Sequence, residues 1–309
     1  MRNLKRTLSL ALASVMLVGM MSVGASAVNA SDFTDADEIV NKDAVSTMTA
    51  LGIINGKEDG SYFDPTGNVT RAEMAKMLCV AINGGVDPVL GVKDTPTFTD
   101  IKGTWAESYI EYCAANGIIA GRGNNKFDPT GTVSATEAAK MLLGVLGYNA
   151  EKSGLVGNDW AINTNVLANQ NGLYKNLANL NANTLLTRDN AAQMIYNALD
   201  ANMVELNAAG NYTTSQYSYT GTESVVTGTE RVWVVKIKDS SVNDAVKALD
   251  GSVYNSRQDA IDTLKDANGG TTLDTGKYTL EQKTQNVYGE NTVTKYADET
   301  MGHKYLSLI

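Results

Sequence analysis

The chain has 309 residues, with 34 acids against 25 Lys and Arg, a formal net charge of −9 and a single histidine. That charge argues against nucleic acid or an anionic membrane surface as a general partner, since both demand a basic face. The one histidine, His303, excludes His-based triads and the HExxH zinc pattern.

Arg2, Lys5 and Arg6 precede an apolar run from Leu8 to Met21. Small residues follow, with cleavage sites after Ala25-Ser26-Ala27 or after Val28-Asn29-Ala30. This is the plan of a secretory signal peptide over residues 1–30. A membrane anchor needs roughly 20 apolar residues, and Ser9, Ser14 and the small residues from Gly19 to Ser26 make this run too short. Removing its three cations takes the net charge from −9 to −12. The expectation is an exported protein with no membrane insertion after signal removal.

The chain then repeats itself. "FTDADEIVNKDAVSTMTALGII" from Phe33 aligns without gaps on "FTDIKGTWAESYIEYCAANGII" from Phe98. Both lead through a Gly-rich turn to "FDPTGNVTRAEMAKML" and "FDPTGTVSATEAAKML". A degenerate third copy keeps Trp160-Ala161 at the spacing of Trp105-Ala106, and "LTRDNAAQMI" from Leu186, but lacks the Phe-Thr-Asp opening and the Phe-Asp-Pro-Thr-Gly turn. The copies span residues 31–85, 96–149 and 150–203.

The second helix of each copy carries one apolar face. Met74, Met77, Leu78, Ala81 and Ile82 follow helical spacing, as do Ala138, Met141, Leu142, Val145 and Leu146, and Ala191, Met194, Ile195, Ala198 and Leu199. A unit of about 50 residues buries too little alone, so three copies are expected to pool these faces in one core. Thr70 and Glu73 form a capping box at the first such helix, and Ser134 and Glu137 at the second. Thr187 caps the third, where Asp189 and Asn190 weaken the box. Cys79 and Cys113, the only cysteines, lie among apolar helical residues and read as small core side chains, with a disulfide open to an exported chain.

The FDPTG segments read as tight turns, with Asp64 and Asp128 as turn-formers. The calcium-loop reading fails: Ala75 and Val69 stand where an EF-hand needs Glu and Gly. No metal site, cofactor or catalytic residue is expected. Asp35 and Asp100 read as caps of the following helix.

Initial Phe-x-Asp, the Trp-Ala pair, "GIINGK", "DGSYFDP" and "TRAE" together resemble S-layer homology (SLH) domains over residues 31–203. The resemblance implies a mainly α, three-pronged helical bundle whose grooves bind an acidic, often pyruvylated, secondary cell-wall polysaccharide. In the family the arginine of "TRAE" contacts that sugar. It implies Arg71 and Arg188 as anion contacts, each sharing a carboxylate with the amides of its helix start; the second copy has Ala135 there. Arg122 is a substitute cation. Replacing Arg71 by Ala is then expected to weaken wall binding and to leave the melting temperature within a few degrees. Trp105 and Trp160 either stack on sugar rings or pack the prongs. Gly56 and Gly121 turn the backbone beside the ligand. Peptidoglycan is a further partner.

From about Ala208 the composition turns to Thr, Tyr, Val, Ser and Gly. "SVVTGTERVWVVKIK" alternates as a strand, and "VNDAVKALDG" and "SRQDAIDTLKDANGG" read as short helices, so residues 208–309 form an α+β or β-rich module without a recognised motif. Its apolar end, "HKYLSLI", suggests a truncated chain. Self-association of this segment, as in an S-layer lattice, is the alternative function. A glycosidase acting on wall polysaccharide needs two acids about 5–9 Å apart, but Glu73 and Glu137 are accounted for by capping, so the expectation is no enzyme.

Overall fold

The computed structural model describes residues 28–177 and 183–306. Residues 1–27 of the signal peptide expected over 1–30, and the last three residues of the apolar end, lie outside the described residues. The chain divides into two compact units, one of residues up to Tyr217 together with those from Asp298 onward, the other Ser218–Ala297.

In the first unit each copy supplies two helices. They are α1 (Lys42–Ala50) and α2 (Arg71–Ile82), α3 (Glu107–Ala115) and α4 (Ala135–Val145), and α5 (Trp160–Gln170) and α6 (Arg188–Leu199). The helices do not pair within a copy. α2 packs on α3, α4 on α5, and α6 returns to α1. Each prong therefore belongs to two repeats, and no copy has a complete core of its own.

The three copies meet at the residues before the N-caps of α2, α4 and α6. Val69 N–H donates to Leu186 O (2.8 Å), Leu186 N–H to Val133 O (2.9 Å) and Val133 N–H to Val69 O (2.9 Å). This closed ring of main-chain bonds is buried, with all three side chains at 0 % exposure. Around it the apolar stripes close into one core that includes Met74, Leu78, Leu142, Met194 and Ile195. Each such side chain stabilises the fold by roughly 1.5–3 kcal/mol. Cys79 and Cys113 face each other across the α2–α3 pair as free, buried thiols, Sγ to Sγ 3.4 Å.

The FDPTG turns are built by two aspartates each. Asp64 and Asp128 take positive φ, 61° and 63°. A Cβ at Gly67 would fall 2.1 Å from Asp64 Oδ2, and one at Gly131 2.1 Å from Asp128 Oδ2, so any larger residue must displace the turn's own aspartate. Asp35 does not cap the following turn of helix. Its carboxylate accepts from Phe63 N–H (2.9 Å) and Asp64 N–H (2.7 Å), and Asp100 accepts from Phe127 N–H (2.9 Å) and Asp128 N–H (2.8 Å). The capping expectation is corrected for both Asp35 and Asp100, since the helix after Asp100 has Ala106 at its N-cap and no side-chain cap: the nearest open amides in space belong to the turn, not the helix. The Phe of each Phe-x-Asp packs on the Phe of its own turn, with ring centroids 5.3 Å apart for Phe33–Phe63 and 5.5 Å for Phe98–Phe127.

The single module expected from residue 208 is divided. A hairpin of β1 (Val204–Leu206) and β2 (Tyr212–Thr214), and the helix α9 (Met301–Leu306), belong to the first unit. Met203 N–H bonds Glu299 O at 2.8 Å, and buried Met203 and Met301 join the helical core. The second unit holds most of β3 (Gln216–Ile237) and β5 (Tyr278–Asp298), with α7 (Asp244–Lys247), β4 (Val253–Tyr254) and α8 (Arg257–Ala267) between them. Its sheet has the order β4-β3-β5, with Trp233 opposite Tyr254, and its small core gathers Val235, Val246, Ala260 and Leu264. Among the described residues no helix is long and apolar enough to cross a membrane.

Candidate functional site

Arg71 opens α2, where the helix dipole mildly disfavours a cation. Its side chain crosses to the second repeat. Nε donates to Phe127 O (2.8 Å) and Nη2 to Ala120 O (2.7 Å), while Cζ lies 4.4 Å from the Phe127 ring centroid. Arg188 does the same one interface earlier: Nε to Phe63 O (2.8 Å), Nη2 to Asn55 O (2.8 Å), and Cζ 5.0 Å from the Phe63 ring. Both residues are buried, at 3 % and 5 % exposure. Carbonyl dipoles and a ring face, set by the neighbouring repeat, replace the water each guanidinium gives up.

The helix amides expected to share a bound carboxylate are already taken. Arg71 N–H bonds Gly131 O (2.8 Å) and Ala72 N–H bonds Pro129 O (3.0 Å); Arg188 and Asp189 N–H bond Gly67 O (2.9 Å) and Pro65 O (3.1 Å). The next amide goes to the cap: Glu73 N–H donates to Thr70 Oγ1 (3.2 Å), and Asn190 N–H to Thr187 Oγ1 (3.3 Å). Each helix start is seated on the turn of a neighbouring repeat, which excludes an external anion from those amides.

Glu137 is the hub of the Arg71 interface. It closes its box with Ser134, lies 3.5 Å from Arg71 Nη1, and takes two bonds from Arg122 Nη2 (2.8 and 3.0 Å). Arg122 is further tied to Asp128 (2.8 Å) and Thr132 O (3.0 Å). At the other interface Lys57 pairs with Asp64, and Glu73 closes its box on Thr70. Asp189 accepts from Asn41 N–H (3.1 Å) and Nδ2 (2.6 Å), reaching the start of α1. Burial pushes the Asp189 carboxyl up against those bonds. Burial also pulls both arginines down from the ordinary range, opposed by Glu137 at Arg71 and by Glu73 at Arg188.

Gly56 and Gly121 hold the loops that offer the Asn55 and Ala120 carbonyls. A Cβ on Gly56 would meet Gly60 O at 2.3 Å, and one on Gly121 would meet Lys126 O at 2.7 Å and the Phe98 ring at 2.8 Å. Trp105 is 60 % exposed beside Tyr109, while Trp160 is half-buried under Lys140, whose Nζ stands 5.2 Å from the ring centroid. Lys140 carries no carboxylate partner among the described residues, whereas its counterpart Lys76 pairs with Asp87 at 3.0 Å. Burial lowers the Lys140 pKa, and the nearby Arg71 charge adds to that. Sequence reasoning missed Lys140 because its "AAKML" setting reads as an ordinary helix surface.

The model of the S-layer homology domain family matches residues 32–75 and 97–139. This is an SLH domain-containing cell-surface protein. An "S-layer protein" of Bacillus licheniformis is 32 % identical over 36 % of the chain and 12 % of its own length. A "Cell surface protein" of Thermoanaerobacter kivui is 28 % identical over 66 % of the chain and 26 % of its own. "Exoglucanase XynX" of Acetivibrio thermocellus is 29 % identical over 47 % of the chain and 14 % of its own. The alignments thus span between 12 % and 26 % of these relatives' length. The SLH protein is secreted, with its place at the cell wall or S-layer. Its SLH repeats resemble stretches of both S-layer proteins and enzymes, so the repeats alone carry no catalytic assignment.

Proposed function

We propose that this SLH protein is a non-catalytic anchor that holds itself to the cell wall by binding an acidic, pyruvylated secondary polysaccharide in its inter-repeat grooves. The observation that carries this reading is Lys140: an ammonium without an acid partner among the described residues, over the Trp160 ring and next to the Arg71 charge. A sugar carboxylate would meet Lys140, while the Trp160 ring offers its apolar face to the pyranose. Arg188 contributes Nη1, the donor left after Nε and Nη2 bind carbonyls; Arg71, whose Nη1 already lies 3.5 Å from Glu137, contributes its charge, and Arg122 lies at the rim. Gly56 and Gly121 keep the groove wall thin, and Trp105 is a second stacking surface. Thr70, Glu73, Ser134, Glu137 and Thr187 hold the helix starts.

The test is co-sedimentation of the exported chain with purified wall sacculi, before and after acid extraction of the secondary polysaccharide. Loss of binding on extraction supports the glycan anchor. Unchanged binding moves the partner to peptidoglycan, and no binding to either removes the reading. A second reading, self-association through the segment after the repeats as in a surface lattice, is favoured by β3 and β5 of the second unit, which bury no side chain from Ser218 to Arg231 and from Glu281 to Ala297.

A further inference from the structure

In the second unit β3 and β5 run as a two-stranded antiparallel ribbon. From Ser218 to Arg231 on β3, and from Glu281 to Ala297 on β5, no side chain is buried. The order β4-β3-β5 leaves the outer edge of β5 without a partner strand among the described residues. A coreless two-stranded ribbon is marginal in water, and its row of open N–H and C=O groups is a template for one more strand.

We propose that the outer edge of β5 pairs antiparallel with β5 of a second copy of this chain, across a two-fold axis at Tyr288. The inference rests on the self-association reading and names its surface. Two identical antiparallel strands related by a two-fold axis keep the same faces, so residues of one face must oppose residues of that same face. The register that overlaps the whole strand satisfies this and sets Tyr288 against its twin. It also sets Glu281 opposite Lys295, Lys295 opposite Glu281, and Leu280 opposite Tyr296. No like charges meet, because Lys283 faces Val293 and Glu290 faces Asn286. Tyr288 and Tyr296 are 64 % and 68 % exposed in the single chain, so both have surface to bury. Lys295 already donates to Thr222 O (3.0 Å) and lies 3.9 Å from Glu223; its ammonium has further donors to offer. Charges on a sheet edge ordinarily repel other strands. Here their spacing admits this strand in this register, giving a continuous sheet β4-β3-β5-β5-β3-β4.

Sedimentation velocity of the whole exported chain over a concentration series, without wall material, tests the pairing. The wild type is expected to pass from monomer to dimer. Glu281→Lys sets lysine against lysine twice and Lys295→Glu sets acid against acid twice, so each variant should weaken the dimer about tenfold. An equimolar mixture of the two should recover it, because both cross-strand pairs then join opposite charges. Circular dichroism checks that each variant is folded. A wild type that stays monomeric overturns both this edge and the self-association reading. A dimer that ignores both variants, or a mixture that fails to recover, overturns the β5 register and leaves self-association standing.

Discussion

The guanidinium of Arg71 is held by the main-chain carbonyl of Phe127, 56 positions further along the chain and in the next repeat. Arg188 holds Phe63 in the same way across 125 positions. These bonds tie the repeats together at the two interfaces where an arginine and an FDPTG turn are both present.

Replacing Arg71 by Ala removes two charge-assisted bonds and leaves the Phe127 and Ala120 carbonyls short of a donor. The expected loss is about 3 kcal/mol, a fall in melting temperature of roughly 6–12 °C for a unit of this size. This revises the expectation of a near-unchanged melting temperature, which assumed an exposed side chain. Calorimetry of Arg71→Ala and Arg188→Ala measures it, and a shift under about 2 °C would show that the carbonyl bonds contribute little.

Lys140→Gln separates binding from folding. Lys140 makes no ion pair to lose among the described residues, so its substitution should change stability by less than about 0.5 kcal/mol. Wall binding should fall by about tenfold, the effect of one charge-assisted contact. Unchanged binding in a sacculus pull-down by Lys140→Gln would remove this lysine from the groove.

Gly56→Ala should be harmful out of proportion to one methyl group. The new Cβ meets main-chain oxygen rather than a flexible side chain, so the loop must move and carry the Asn55 carbonyl away from Arg188. A loss of about 1–3 kcal/mol is expected, and urea unfolding at neutral pH reads it directly.

Burial works against the Asp100 charge, but the amides of Phe127 and Asp128 outweigh it and hold the carboxyl below its ordinary 3.8. The folded pKa therefore lies below the unfolded one. Its stabilisation is present above the unfolded value and is lost as pH falls through the folded value. Asp100→Asn should be less stable than wild type at pH 7, and the gap should close as pH falls past the lowered folded value of the carboxyl. A gap that persists in acid would refute an ionic contribution. Asp189 has the opposite sign, since its raised pKa makes ionisation unfavourable to folding.

Cys79 and Cys113 should resist alkylation in the folded protein and both react after unfolding. Their mutual hydrogen bond comes first and burial second in holding the Cys113 thiol well above its ordinary pKa, so little thiolate is present to react. Mass spectrometry after iodoacetamide treatment, with and without guanidinium, counts the labels. Labelling of the native protein would contradict the packing.

The apolar stripes, the Thr70–Glu73 and Ser134–Glu137 boxes and the FDPTG turns are all legible in sequence, because each rests on residues within a turn or two of one another. The roles of Arg71, Asp35 and Gly56 were not, because their partners lie in other elements or other repeats and no local pattern records them. A trace of the arrangement is nonetheless written in the chain. Each arginine is matched by an FDPTG turn in the repeat it docks on, and the second copy's Ala135 goes with the third copy's missing turn. The division after Tyr217 was hidden for the same reason: Met203 and Met301 meet only once the chain has gone out along β3 and come back along β5. Sequence alone determined which segments are helices, how they are capped and that three copies share a core. Tertiary structure decided which repeat supplies each partner, since a buried charge is satisfied by whatever carbonyls folding brings within 3 Å, however distant along the chain.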